Sequence, residues 1–377
     1  MAPNLFGTSA TLYLEASQQG IHKEKSASEN VDKQQLIAQN SSQQPKYKWD
    51  IVWRNVIAFT YLHCGSLYAM YLLIFHEVSP YTFIWGLSLG MISAVGVTGG
   101  AHRLWAHRAY KAKWPLRVIL MILQTIAFQN HIYEWARDHR VHHKFTDTDA
   151  DPHNAQRGFF FSHIGWLMLR KHPDVIKKGA TIDMSDLEQD PVVVWQRRLY
   201  IILMPLFSFI IPTWIPIYFW KEAPLTAWYA TVWRYTFTLN GTWLVNSAAH
   251  IWGMKPYDKT IGPTENRAVA LIAIGEGWHN YHHVFPWDYK ASELGDYTLN
   301  ATTAVIDLFS KIGWAYDMKT VPAEIVKKRA MRTGDGSIYE NGQLTHTHSH
   351  EDAIWGWGDK DMEPDEIKTA EVYNKSD

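Results

Sequence analysis

Apolar residues are segregated along this chain. Residues 1–47 are rich in Ser, Gln, Lys and Glu and hold no apolar run that could build a core. Such composition predicts a disordered polar arm. No basic, then apolar, then small-residue pattern occurs there, so no cleaved signal peptide is expected. Between this arm and a polar tail at 333–377 lie four apolar stretches, at about 53–75, 81–100, 199–220 and 225–249. Each has roughly 20–25 residues, enough as a helix to cross a hydrocarbon core of about 30 Å. The second carries no Asp, Glu, Lys or Arg, and the fourth carries one charge, Arg234. Pro205, Pro212 and Pro216 interrupt the third. Membrane helices tolerate proline where neighbours satisfy the freed backbone groups. A fifth stretch, Val118–Phe128, is too short to cross and predicts an interfacial or buried helix.

The spacing pairs the stretches into two hairpins. The loop His76–Pro80 has one acid and no Lys or Arg, and Lys221–Pro224 has one Lys, whereas residues 101–197 carry 14 Lys and Arg. Positive charge collects on the cytosolic side of a membrane protein. This places both termini and the cap, residues 101–197 and 250–332, in the cytosol. Trp53, Trp85, Trp214, Trp220 and Trp228 lie at or near the ends of the stretches, where interfacial aromatics belong. Pattern and charge together predict an all-α, multi-pass membrane protein: four transmembrane helices in two hairpins, under a cytosolic helical cap within a domain spanning 48–332.

Composition changes this picture only by exclusion. A mean hydropathy of −0.24 averages polar arms and cap with apolar stretches. The 377 residues carry a formal net charge of −1, which argues against a nucleic-acid partner gripped through a basic surface. The single cysteine, Cys64, excludes an internal disulfide framework, a Cys-rich zinc module and a Cys-ligated cluster.

Histidine adds the chemistry. Of 19 His, nine fall in clusters on the cytosolic side: HRLWAH (His102, His107), HRVHH (His139, His142, His143), NSAAH (His250) and HNYHH (His279, His282, His283). On an α-helix, positions i, i+3 and i+4 share one face, so each HxxHH aims three imidazoles into one volume. Positions i and i+5 do not, so His102 and His107 either flank a metal or have a helix end between them. Nine imidazoles suit two first-row metals, and imidazole alone does not choose among Zn, Cu, Fe and Ni. The other histidines, including His63, His131, His153 and His163, read as lone polar anchors. His346, His348 and His350 read as part of a solvated tail. Iron would suit O₂-driven oxidation of an unactivated C–H bond, and zinc would suit hydrolysis. A metal transporter would need polar groups inside the spans, which the second lacks. No glycine-rich dinucleotide loop or HPGG-type haem segment is evident, so electrons for iron would come from a separate protein.

HRLWAH, EWARDHRVHH and GEGWHNYHH, in this order, resemble the histidine boxes of the membrane acyl-CoA desaturases, the stearoyl-CoA desaturase family. The resemblance runs from about Trp53 to Arg332 through ADPHN, RGFFFSHIGW, RKHPDV, WLVNSAAH, PYDK and FPWDYKASE. The wording of these stretches is most similar to insect desaturases, including those of moth pheromone synthesis. The resemblance implies four transmembrane helices under a cytosolic cap in the endoplasmic reticulum membrane. It implies two irons, O₂ as co-substrate, and electrons from NADH through cytochrome b5 reductase and cytochrome b5. It assigns His102, His107, His139, His143 and His282 to one iron. His142, His250, His279 and His283 go to the other, with Asn246 reaching it through a water. For the head group of a fatty acyl-CoA it implies contacts from Asn55, Asn130, Arg137, Asp138, Arg170, Lys171 and Trp243. Gln129, Trp135 and Thr242 would line the bend of an acyl tunnel. Gly90 and Ala94 would lie at its far end, where Gly90 leaves room for a longer methyl-end segment. The loop Gly262–Glu265 lies where insect relatives of different regiochemistry differ. The nearest rival is a membrane di-iron fatty acid hydroxylase, which shares the same boxes.

Overall fold

In the computed structural model, residues 49–75, 78–294, 296–339 and 353–375 are described. The arm at 1–47 and His346, His348 and His350 lie outside them. The architecture below concerns residues 52–375.

The protein is mostly helical. Helix α1 (Trp53–Phe75) realises the first apolar stretch. Helix α2 (Pro80–Val95) realises the second and continues without a break into a π-helical turn, Gly96–Ala106. Gly96 opens that segment, and only glycine fits there, because a Cβ would lie 2.2 Å from the Gln124 nitrogen. Its neighbour is α3 (Trp114–Ala127), the short apolar stretch, which buries Leu116 and Leu120. Helix α4 (Ile132–Lys144) follows, its first turn capped by the His131 ring accepting from the Glu134 amide at 3.2 Å.

The third stretch begins earlier than its apolar run suggests. Helix α5 (Pro191–Pro205), a π turn (Leu206–Ile210) and α6 (Ile211–Trp220) form one 30-residue rod. Helix α7 (Pro224–Asn246) realises the fourth and packs along α1 and α2. Among the described residues, Trp53–Phe75, Pro80–Ala106 and Pro191–Trp220 are long and apolar enough to cross a membrane. Helix α7 equals α1 in length at 23 residues but is more polar, carrying Arg234, Asn240, Asn246 and five threonines. Large apolar side chains on the rods face outward, among them Ile57 at 69% exposure and Ile202 at 62%. Such surface fits lipid rather than water.

The loops at one end are tied together. The Glu222 carboxylate accepts from the Ser79 amide at 3.1 Å and from Thr82 Oγ1 at 2.5 Å, while Trp220 Nε1 donates to Thr82 Oγ1 at 2.7 Å. Two of the five tryptophans assigned to an interfacial belt, Trp85 and Trp220, thus donate inward.

Two small antiparallel sheets complete the cap. Strand β1 (Lys111–Ala112) pairs with β2 (Ala315–Tyr316), Lys111 opposite Tyr316. Strand β3 (Met318–Thr320) pairs with β4 (Glu371–Tyr373), Lys319 opposite Val372. The second pairing draws part of the polar tail into the cap: Trp355 and Met362 are buried there. Tail composition conceals this, because three apolar anchors, Ile354, Trp355 and Met362, raise no hydrophobic pattern in a charged stretch.

Candidate metal centre and cavity

Nine imidazoles converge beneath the cap. The π turn delivers the first pair. Its His107 amide donates to the His102 carbonyl at 3.0 Å, an i to i+5 bond, so the two rings lie one turn apart on one side, with centroids 4.7 Å apart. The choice between flanking positions and a helix end, left open by α-helical geometry, is resolved by this wider turn. Helix α4 supplies His139, His142 and His143. Helix α7 stops at Asn246, and the one-turn α8 (Ala248–Ile251) swings His250 inward. Helix α9 (His279–Val284) supplies His279, His282 and His283.

The rings sort into two groups. In each, one nitrogen per ring lies within 4.8 Å of the others: His102, His107, His139, His143 and His282 in one, and His142, His250, His279 and His283 in the other. Within the first, His102 and His282 Nε2 are 2.9 Å apart, His107 and His139 Nε2 2.8 Å, and His143 and His282 Nε2 3.1 Å. Within the second, Nε2 pairs are 3.1–3.2 Å apart. Burial, and then the neighbouring imidazoles, hold His107, His139, His143, His279, His282 and His283 well below the ordinary histidine pKa. They are therefore neutral near pH 7, with a free lone pair each.

Outer partners fix which nitrogen carries that lone pair. His142 Nδ1 donates to Asp151 at 2.9 Å, and His107 Nδ1 faces the Trp355 carbonyl. His102 Nδ1 lies 2.8 Å from Glu276, whose other oxygen takes Arg103 at 2.8 Å. His250 Nδ1 lies 3.6 Å from Asp147. With Nδ1 so engaged, Nε2 lone pairs would face one another at van der Waals distance or less. Such repulsion is relieved by a cation among them. Nitrogen ligands at 2.0–2.1 Å from a metal stand about 3.0–3.4 Å from each other, close to the spacing seen. The donor set fits two metal ions, each with outer partners of the kind that tune a metal site.

Several outer residues escaped the sequence reading, Asp147 and Trp355 among them. His153, read as a lone anchor, is buried with its ring 4.3 Å from that of His142, and with Asp151 and His142 it forms a further potential ligand group. Asp151 and Glu276 sat inside quoted motifs, ADPHN and GEGW, without a role. The signal was their position: an acid within a few residues of a histidine box.

An apolar cavity opens onto both groups. Gly86, Gly90, Met91 and Ala94 line it between α2 and α7, and Trp135, Thr242, Asn246, His102, His139, His142 and His279 line it at the cap. Gln129 Nε2 donates to Thr242 Oγ1 at 2.8 Å, Trp135 Nε1 reaches Gln129 at 3.4 Å, and the Trp135 ring stacks on His139 at 4.9 Å. Gly90 also approaches α7, where a Cβ would lie 3.3 Å from Thr238.

The expected head-group residues divide. Lys171 bonds Asp138 at 2.5 Å, and Arg137 bonds it at 3.0 Å, with Glu134 3.4–3.5 Å from both cations. Burial raises the Asp138 pKa, but Lys171 and then Arg137 outweigh it and keep the carboxyl ionised. Arg170 is exposed beside them, and Asn55 Nδ2 donates to the Leu167 carbonyl at 2.7 Å. Asn130 spends its side chain on the His131 amide, and Trp243 packs its ring against Phe59, His63 and His163.

Residues 78–298 match the family described as Fatty acid desaturase. An acyl-CoA Delta-9 desaturase of Acheta domesticus is 60% identical over 347 residues, covering 91% of this chain and 92% of that protein. An acyl-CoA Delta12-desaturase of the same organism is 57% identical over 330 residues, 87% and 88% of the two. A stearoyl-CoA desaturase of Sus scrofa is 54% identical over 299 residues, 79% and 82%.

Proposed function

The chain belongs to the fatty acid desaturase family, and from that premise we propose that it inserts a double bond into a saturated fatty acyl-CoA. The observation that carries this reading is the apolar cavity that ends on both histidine groups. A methylene chain fills such a cavity, and polar substrates have few partners along it.

In this reading the five-histidine and four-histidine groups each hold one iron, with Asn246 reaching the second through a water. The iron pair, given O₂ and electrons from cytochrome b5 and its reductase, supplies the oxidising power. The chain itself does the positioning. Arg137, Arg170 and Lys171 neutralise phosphates of the CoA head, and Asp138 accepts from its ribose or adenine. The other head-group contacts inferred from the family are Asn55, Asn130 and Trp243. The Gln129–Thr242 bond, with Trp135 against it, braces the bend that holds one carbon pair under the metals. The dry cavity wall keeps water from the oxidant.

The same reading sets the chain in the endoplasmic reticulum membrane, with α1, α2, α5–α6 and α7 crossing as two hairpins and both termini cytosolic. The meeting of the Ser79 and Glu222 loops at one end supports this topology. The products would serve unsaturated fatty acid or pheromone-precursor synthesis.

Expression in a yeast lacking its own desaturase, with mass-spectrometric location of the new double bond, tests the proposal. A hydroxylated product would favour the fatty acid hydroxylase reading instead. Activity that survives His142→Ala or His282→Ala would refute the metal assignment.

A further inference from the structure

Residues 353–375 grip His107 by side chain and main chain together. Its Nδ1 faces the Trp355 carbonyl, and the Trp357 amide donates to the His107 carbonyl at 2.9 Å. A carbonyl can only accept, so Nδ1 carries the proton and Nε2 turns its lone pair toward the five-histidine group. Gly356 sits between the two contacts with φ +150°, and a Cβ there would lie 2.5 Å from the His107 oxygen and 2.7 Å from its Cα. No side chain fits.

The segment is fastened elsewhere too. The Trp355 ring lies buried under Arg140 and Arg108, at 4.1 and 4.8 Å from its centroid. Asp359 accepts from the Trp355 amide at 2.8 Å and pairs with Lys144, the residue after His143, at 2.8 Å. Strand β4 pairs with β3, whose Lys319 amide donates to the Ala109 carbonyl at 3.0 Å. The four-histidine group takes its outer contacts from Asp151 and Asp147 instead.

We propose that residues 353–375 form a positioning strap: the Trp355 carbonyl, seated by Gly356, holds His107 in its metal-facing tautomer and sets how tightly the five-histidine group keeps its ion. The inference rests on reading the clusters as metal sites. A backbone carbonyl behind a ligating histidine raises metal affinity, and its loss typically costs 10–100-fold.

The test compares full-length wild-type protein with Gly356→Ala and Asp359→Asn, each purified with its metal. Metal content and the rate of metal transfer to a chelator are read beside thermal unfolding. Wild type is expected to hold two ions per chain and release them in two phases. In Gly356→Ala one phase should quicken about 10–100-fold while the other holds. Asp359→Asn should quicken the same phase less and melt near wild type. Unchanged release in both variants, or equal quickening of both phases in Asp359→Asn, overturns the strap. A wild-type protein that carries no metal would overturn the underlying metal reading, and the strap with it.

Discussion

Arg234 Nη2 lies 2.7 Å from the carbonyl oxygen of Ser208, an acceptor that Pro212 cannot serve because it has no N–H. Nη1 reaches the Ile126 carbonyl at 3.2 Å. One helix turn along, Trp85 Nε1 donates at 3.1 Å to the Pro212 carbonyl that Pro216 leaves free in the same way. The one charge in the fourth apolar stretch and a tryptophan of the second thus repair two of the proline breaks in the third.

Replacing Arg234 by Met should therefore destabilise the protein without touching the histidines. Interhelical hydrogen bonds in membranes are worth roughly 0.6–1.7 kcal/mol each. Loss of two predicts a decrease of about 1–3 kcal/mol, read as a lower unfolding temperature in detergent.

Glu276→Ala and Asp151→Ala remove carboxylates that face His102 and His142. Each should weaken metal retention by about 10–100-fold, read by chelator competition. Stripping the metal from wild type should lower its unfolding temperature, since an ion that binds only the folded state stabilises it.

Gly90→Tyr should shift the product profile toward shorter acyl chains. The wall of α7 lies too close on one side for a ring, as the 3.3 Å approach to Thr238 shows, so the ring must enter the cavity. Fatty acid analysis in desaturase-deficient yeast checks this, and an unchanged profile would remove Gly90 from the chain-length argument.

Glu265 gives a pH prediction. Burial pushes its carboxyl up to about 8, against hydrogen bonds from the Tyr281 and Asn280 backbone. The folded protein then holds a proton that the unfolded chain releases near its ordinary value of about 4.3. Stability from this group is full below that value and declines as pH rises toward 8. Unfolding temperature should fall between pH 6 and about 8.5 in wild type and fall less in Glu265→Gln, which stays neutral.

The sequence made some of this legible and hid the rest for physical reasons. Each HxxHH was readable because a helix repeats every 3.6 residues. His102 and His107 were not, since a π turn leaves no mark in hydrophobic period. Four apolar stretches located the rods, but the third rod starts at Pro191, well ahead of its stretch, because Gln196, Arg197 and Arg198 break the apolar run. His153 looked solitary because its ring partner, His142, lies across a loop from it on the preceding helix. The grip of Trp355 on His107 spans 248 positions, and no local pattern carries such a pairing.

Helix α4 carries Glu134 and Asp138 beside Lys171, and His139, His142 and His143 beneath the cap, on one rigid element. Such a helix is a ruler, its graduations set by a rise of about 1.5 Å per residue. Under the proposed function, a substrate held at the mark of Asp138 and oxidised at the marks of the histidines would be measured from its anchored end. A longer tail would then move slack into the space beside Gly90 and leave the reacting carbons at the same count from the anchor.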